Sequence, residues 1–370
     1  MQRWRFLLFL LILSGIGVSA HSEGPLSLPP PSHSNNELSA SPESQMLGAA
    51  LQGQTRRVVE LLAQGVSPNA RDQTKGWTPL MMAAPGDFKE IVKALLDAGA
   101  DPNLQRYDGE TALIIAALVG AENVACILAN RSNIELRDQA GNTALIYASL
   151  NGRTQIVDIL LKAGANANVA DAEGQTPLHH AALENHTDAA ARLLKANINF
   201  NARDKLGQTP LFIAAVNNFG DITQLLLDAG ASPLIADNTG RPPLLWAVLW
   251  NNEKIVGAML DRGAIIDQRA GTYDSNVTAL ILAAWTGKPT MVKILLQRGA
   301  KPNVIDSSHE TALHWAAAMD QVESIRLLLA AGADTTMRNV LGKTALDVAI
   351  YEGRAGAIEI LSAHQSARRE

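Results

Sequence analysis

Thr176-Pro177-Leu178-His179-His180-Ala181-Ala182 opens a unit of 33 residues that closes at Gln208, and the chain returns to this unit again and again. The Thr-x-Leu triplet starts at Thr78, Thr111, Thr143, Thr176, Thr209, Pro242, Thr278, Thr311 and Thr344, with Pro replacing Thr once. The successive spacings are 33, 32, 33, 33, 33, 36, 33 and 33 residues. A fixed period of this length is the signature of a solenoid built from stacked supersecondary units. Such a unit cannot bury its apolar face alone and buries it against its neighbours. The stack presents one long surface, which suits binding.

Each unit reads as two helices. Thr before Pro, as in Thr78-Pro79, Thr176-Pro177 and Thr209-Pro210, supplies an N-cap and a first helical residue with preset φ. The Ala pairs Ala83-Ala84, Ala116-Ala117, Ala214-Ala215, Ala283-Ala284 and Ala316-Ala317 keep the first helix thin. Nine residues after each start stand Asp87, Gly120, Gly152, Asn185, Asn218, Asn251, Gly287, Asp320 and Gly353. Only Gly, Asn and Asp occur there, the residues that tolerate the left-handed conformation that ends a helix. A second helix follows, with apolar residues three and four apart, as in Ile91, Val92, Leu95 and Leu96. It is expected to stop at Gly65, Gly99, Gly164, Asn197, Gly230, Gly263, Gly299 and Gly332; Asn130-Arg131 share that position in the short third unit. Turns such as Asp138-Gln139-Ala140-Gly141 close each unit.

These residues resemble the ankyrin repeat. Thr176-Pro177-Leu178-His179 and Thr311-Ala312-Leu313-His314 match the family's opening. Gly99-Ala100-Asp101-Pro102-Asn103 and Gly164-Ala165-Asn166-Ala167-Asn168 match its close. The resemblance implies an all-α-dominated repeat solenoid of about ten units with β-turn or hairpin fingers, covering residues 44–364. Ser44 to Gln64 lacks the Thr-Pro opening and reads as the N-terminal cap. The last unit ends in the polar stretch Ser362–Glu370, which is expected to shield the last helix pair, with 365–370 as a polar tail beyond the solenoid. Three extra residues around Arg269–Ser275 are expected to make one finger protrude.

The N-terminus reads as a secretory signal peptide over residues 1–20. Met1-Gln2-Arg3-Trp4-Arg5 is basic, Phe6–Val18 is apolar, and Val18-Ser19-Ala20 offers a cleavage site. An uncleaved anchor is the alternative reading. Residues 21–43 are rich in Pro and Ser and read as an extended tether. Without residues 1–20 the chain carries 29 basic and 36 acidic residues, a net charge of −7. An acidic array without a basic stripe excludes nucleic acid as the expected partner. No second run is long and apolar enough to span a membrane. Cys126, the single cysteine, is expected to be a buried inert thiol in a second helix.

No Gly-x-Ser-x-Gly elbow, phosphate-binding Gly loop or His-Glu-x-x-His is present. His179 and His314 occupy the family's structural His position, so neither metal nor cofactor is expected. Asp138, Asp171, Asp204, Asp237 and Asp306 recur as turn residues, without acid–base work. In ankyrin proteins, partners are met by the finger tips and the exposed end of the first helix. The helix-end positions here read Leu118, Leu150, Leu183, Val216, Leu249 and Trp285, with Trp250 and Met319 beside some of them. With Tyr107 and Tyr273 on fingers, they form the candidate partner-binding set. Trp246 and Trp315 take a position that usually packs between repeats. The expectation is a secreted or periplasmic monomer that binds a protein partner and catalyses nothing. One alternative is an accessory factor for an exported enzyme, with periplasmic ankyrin proteins linked to catalase and oxidative-stress defence as the family precedent. Another is an exported enzyme with an unrecognised site.

Overall fold

The computed structural model describes residues 41–271 and 276–367. Among the described residues, twenty helices form ten antiparallel pairs. They begin with α1 (Pro42–Leu51) and α2 (Thr55–Ala63), then α3 (Pro79–Ala83) and α4 (Lys89–Asp97), then α5 (Ala112–Val119) and α6 (Glu122–Ala129). The middle pairs are α7 (Ala144–Leu150) with α8 (Thr154–Lys162), α9 (Pro177–Leu183) with α10 (Thr187–Leu193), and α11 (Pro210–Val216) with α12 (Gly220–Asp228). Next come α13 (Pro243–Leu249) with α14 (Glu253–Asp261) and α15 (Ala279–Trp285) with α16 (Pro289–Gln297). The stack closes with α17 (Ala312–Ala318) and α18 (Val322–Ala330), then α19 (Ala345–Tyr351) and α20 (Ala355–Ala367). First helices stack on first helices and second on second, so each unit touches mainly its neighbours. The first helix thus begins at Pro42 behind a Ser41 cap, and the last runs on to Ala367.

The local signals act as the sequence implies. Thr78, Thr111, Thr143, Thr209, Thr278, Thr311 and Thr344 each accept the N–H three residues on, satisfying an orphan donor of the first turn. Every one of the nine helix-stop residues has positive φ, from Asn251 at 56° and Asp87 at 51° to Gly120 at 92°. Second helices end the same way at Gly65, Gly99, Gly164, Gly230, Gly263, Gly299 and Gly332. Asn197 does not. Helix α10 stops early at Leu193, and Lys195 and Ala196 donate to the Arg192 and Leu193 carbonyls, so no left-handed residue is needed. In the third unit, Arg131 and Ser132 N–H both donate to the Leu128 carbonyl.

The fingers are turns more than sheet. Among the described residues the only bridge outside helices is the antiparallel pair Ala270–Val277, at the base of the enlarged finger. Its tip, with Tyr273, lies outside the described residues. Each turn Asp accepts backbone N–H groups at Oδ1, as Asp204 does from Leu206 and Gln208 and Asp306 from Ser308 and Glu310. Fingers join through main chain: Gln139 donates to Asp108, Ala172 to Ala140, Lys205 to Glu173 and Asn238 to Leu206.

His179 shows how two units are tied. Its Nδ1 accepts the Thr176 N–H at 3.1 Å, closing a capping box with that Thr. Its Nε2 lies 3.1 Å from the Gln208 carbonyl, an acceptor only, so Nε2 carries the proton. His314 repeats this with Thr311 and the Lys343 carbonyl. Cys126 departs from expectation and is exposed. Helix α6 turns Val124, Ala125 and Leu128 inward, which leaves Cys126 on the outer face.

The helix stop is best tested at Gly353. At Gly152, an added Cβ would come within 2.6 Å of the His186 ring, so every replacement meets that ring. At Gly353, φ is 67° and nothing lies within 4 Å of an added Cβ. Gly353→Val is expected to cost about 1–2 kcal/mol more than Gly353→Asn, because a β-branched residue resists this conformation. Equal denaturation midpoints for the two would contradict the assignment.

The buried histidines give a pH dependence. Burial pushes His179 from 6.5 down to about 4, and lowers His314 too. Between those two pH values the unfolded chain binds more protons than the folded one, so stability rises with pH there. It is complete above 6.5 and is lost as pH falls toward 4. The His179 share is about 3 kcal/mol at full protonation. His179→Gln should show a shallower fall in melting midpoint across this window than wild type; a parallel fall would contradict the assignment.

Candidate partner-binding surface

The row at the helix ends is real in space. Leu150, Leu183, Val216, Leu249 and Trp285 each close a first helix, Leu118 stands one residue before the end of α5, and all six are half-buried, one edge on the core and one open. Their origin is the period itself: each sits seven residues after the unit's Thr or Pro, two before the left-handed stop. Met319 follows one position later and is also half-buried. Tyr107 is exposed on its finger and lies against Gly76 of the preceding one, where an added Cβ would stand 3.0 Å from the ring.

The aromatic residues divide by role. Trp246 is buried and meets Phe212 edge-on at 6.3 Å, with Val216 and Leu249 resting on the pair. Trp315 is buried, and its Nε1 donates to Asp306 Oδ2 at 2.9 Å. Trp250 is 51% exposed. Its Nε1 donates to the Val216 carbonyl of the preceding unit at 2.7 Å, so the indole lies across the seam between two units with its orientation fixed. Trp285 is less free than its position suggested: it is half-buried and meets Trp315 edge-on at 6.2 Å. It therefore serves packing as well as surface.

A polar tie escaped the sequence reading. The residue nine positions after a turn Asp reaches back to that carboxylate: Tyr147 Oη donates to Asp138 Oδ2 at 2.7 Å, and His180 Nε2 lies 2.8 Å from Asp171 Oδ2. Burial, and then Asp138, raise the Tyr147 pKa. Burial pushes the Asp171 carboxyl up, but His180 and the Gln175 N–H outweigh it and hold it below its usual value. Between Asp237 and Trp246 the tie is replaced. Arg241 takes the carboxylate with Nε at 2.9 Å and a terminal nitrogen at 2.8 Å, and its guanidinium lies 5.6 Å from the Trp246 ring. The buried Trp246 Nε1 is left without a partner. The signal was the recurrence of Tyr, His and Trp at one register position, legible only once the turn Asp is known to point there.

The His180–Asp171 pair has the look of a catalytic dyad, but both side chains are almost wholly buried, which leaves no substrate approach. Among the described residues, no group of three or more His, Cys, Asp or Glu is placed to hold a metal, and no helix is long and apolar enough to cross a membrane. The sequence reading also missed exposed Leu234. It replaces the Asn that elsewhere accepts the next unit's N–H, as Asn103 does from Asn133 and Asn168 from Asn199.

Comparison with known proteins agrees with this architecture. A family model described as ankyrin repeats in three copies matches residues 46–138, 127–204, 193–270 and 280–368. The chain is similar to the 2-5A-dependent ribonuclease of Mus musculus, 36% identical over 88 residues, or 24% of this chain and 12% of that protein. It is similar to the mitochondrial disaggregase of Bos taurus, 34% identical over 139 residues, or 36% of this chain and 20% of that one. It also resembles the ankyrin repeat and KH domain-containing protein mask-1 of Caenorhabditis elegans, 36% identical over 121 residues, 32% of this chain and 5% of that protein. The match thus spans a fifth or less of each of these relatives. With ten stacked helix pairs, left-handed stops at nine first-helix ends and four stretches of family match, the chain belongs to the ankyrin-repeat family.

Proposed function

We propose that this chain is a non-catalytic scaffold that binds a partner protein along the row of first-helix ends and the adjoining finger tips. The observation that carries the reading is the half-buried apolar row with Trp250 at its most open point. An exposed indole locked by a hydrogen bond loses little freedom on binding, and aromatic anchors of this kind dominate interface energetics. The row costs the isolated array exposed apolar surface that its own packing does not require.

Trp250→Ala tests this reading. It is expected to weaken capture of the partner by about 2 kcal/mol while leaving the thermal midpoint within a few degrees. Trp315→Ala, in the buried tie to Asp306, should do the reverse and cost about 3–5 kcal/mol of stability. A Trp250→Ala chain that melts early and still binds would overturn the assignment.

The proposal places the scaffold outside the cytoplasm, in a periplasm or secreted, on the order of basic, apolar and small residues over 1–20. N-terminal sequencing of the natively expressed protein is expected to begin at His21. An intact Met1 would sink the localisation and leave the binding surface standing.

A further inference from the structure

The residue one past each left-handed stop reaches back to the preceding unit. Arg153 Nη2 donates to the Leu118 carbonyl at 3.5 Å, and Arg354 Nε to the Ala318 carbonyl at 2.9 Å. His186 and Gln321 lie against the preceding stops, Gly152 and Gly287. This register position therefore stands at the end of the preceding first helix, beside the apolar row. After the stop at Gly287 the residue is Lys288. By the same register Lys288 lies at the seam between α13, which ends at Leu249 and Trp250, and α15, which ends at Trp285.

Lys288 is half-buried, yet its ammonium makes no hydrogen bond or ion pair among the described residues. Burial holds its pKa below the usual lysine value. A desolvated cation without a counter-charge is costly. Packing does not demand it, since Phe88, Ala121 and Phe219 fill the same position in other units. Neighbouring donors are already engaged. Trp250 Nε1 serves the Val216 carbonyl, Thr286 Oγ1 the Leu282 carbonyl and Asn252 Nδ2 the Asn218 side chain.

We propose that the segment docked on this row is acidic and apolar: an Asp or Glu carboxylate pairs with Lys288, and the side chain beside it seats on Trp250 and Trp285. The proposal rests on the binding surface assigned above and adds the chemistry of its occupant. Charge complementarity selects that chemistry. A carboxylate gives the ammonium a charge-assisted hydrogen bond at the most open point of the row. A purely apolar or basic segment would bury Lys288 further and leave it unpaired.

A random peptide library displayed on phage and selected on the chain tests this. The expected winners carry Asp or Glu beside Leu, Phe or Trp. A synthetic winner is then titrated against variants. Trp250→Ala should weaken it, as the surface requires. Lys288→Met should weaken it about tenfold and flatten its salt dependence. The melting midpoint should hold, because apolar residues fill this position in other units. Lys288→Glu should abolish binding, and a peptide with Lys in place of its acid should restore it. A selection that yields no acidic winner would overturn the proposal, as would an acidic winner that the Lys288→Met chain binds as tightly as wild type. If Trp250→Ala still weakens that winner, the surface stands and the carboxylate pairing alone falls. If neither variant matters, the surface falls as well.

Discussion

Everything in this molecule depends on the fact that no unit can bury its own apolar face. A pair of helices of seven to nine residues, such as α9 and α10, is far too short to stand alone. Its Leu178, Ala181 and Ala182 become fully buried only because the neighbouring units cover them. That requirement fixes the period, since each unit must present the same face in the same register. It also fixes the thin first helix, because a larger side chain at the Ala positions would hold the layers apart. Stability then accumulates from neighbour to neighbour rather than from one central core.

Backbone chemistry keeps the register. Left-handed stops reverse the chain at a fixed point, turn carboxylates hold the fingers, and buried groups such as His179 and Arg241 carry hydrogen bonds within and between units. These devices are saturated along most of the array. The row from Leu118 to Trp285 and Trp250 on the seam are what remains after those demands are met. Function is assigned to that remainder.

The fold was legible because it rests on short-range chemistry repeated many times. The nine stops could be named from residue type alone, since only Gly, Asn and Asp fit positive φ cheaply. Asn197 misled because α10 ends early, a tertiary outcome that residue type does not report. Cys126 misled because two helical positions separate the buried from the exposed face, and the reading took its apolar neighbours as its environment. The helix-end row was legible as positions, but its burial was not. Trp285 turned out to share its ring with Trp315, whereas Trp250 is held open by a bond to Val216 that no local pattern encodes. The exposure of Ile350 was missed because it fits the repeat pattern well; it is open only because no described unit stacks on it.

The central claim, that a partner binds the first-helix ends and not the outer helices, is tested most directly by hydroxyl-radical footprinting of the captured complex. Trp250, Met319 and Tyr107 mark the proposed surface, and exposed Cys126 marks the outer face of the second helices. The account predicts that the partner protects the first three and leaves Cys126 as reactive as in the free chain. Protection of Cys126 with Trp250 left open would contradict it.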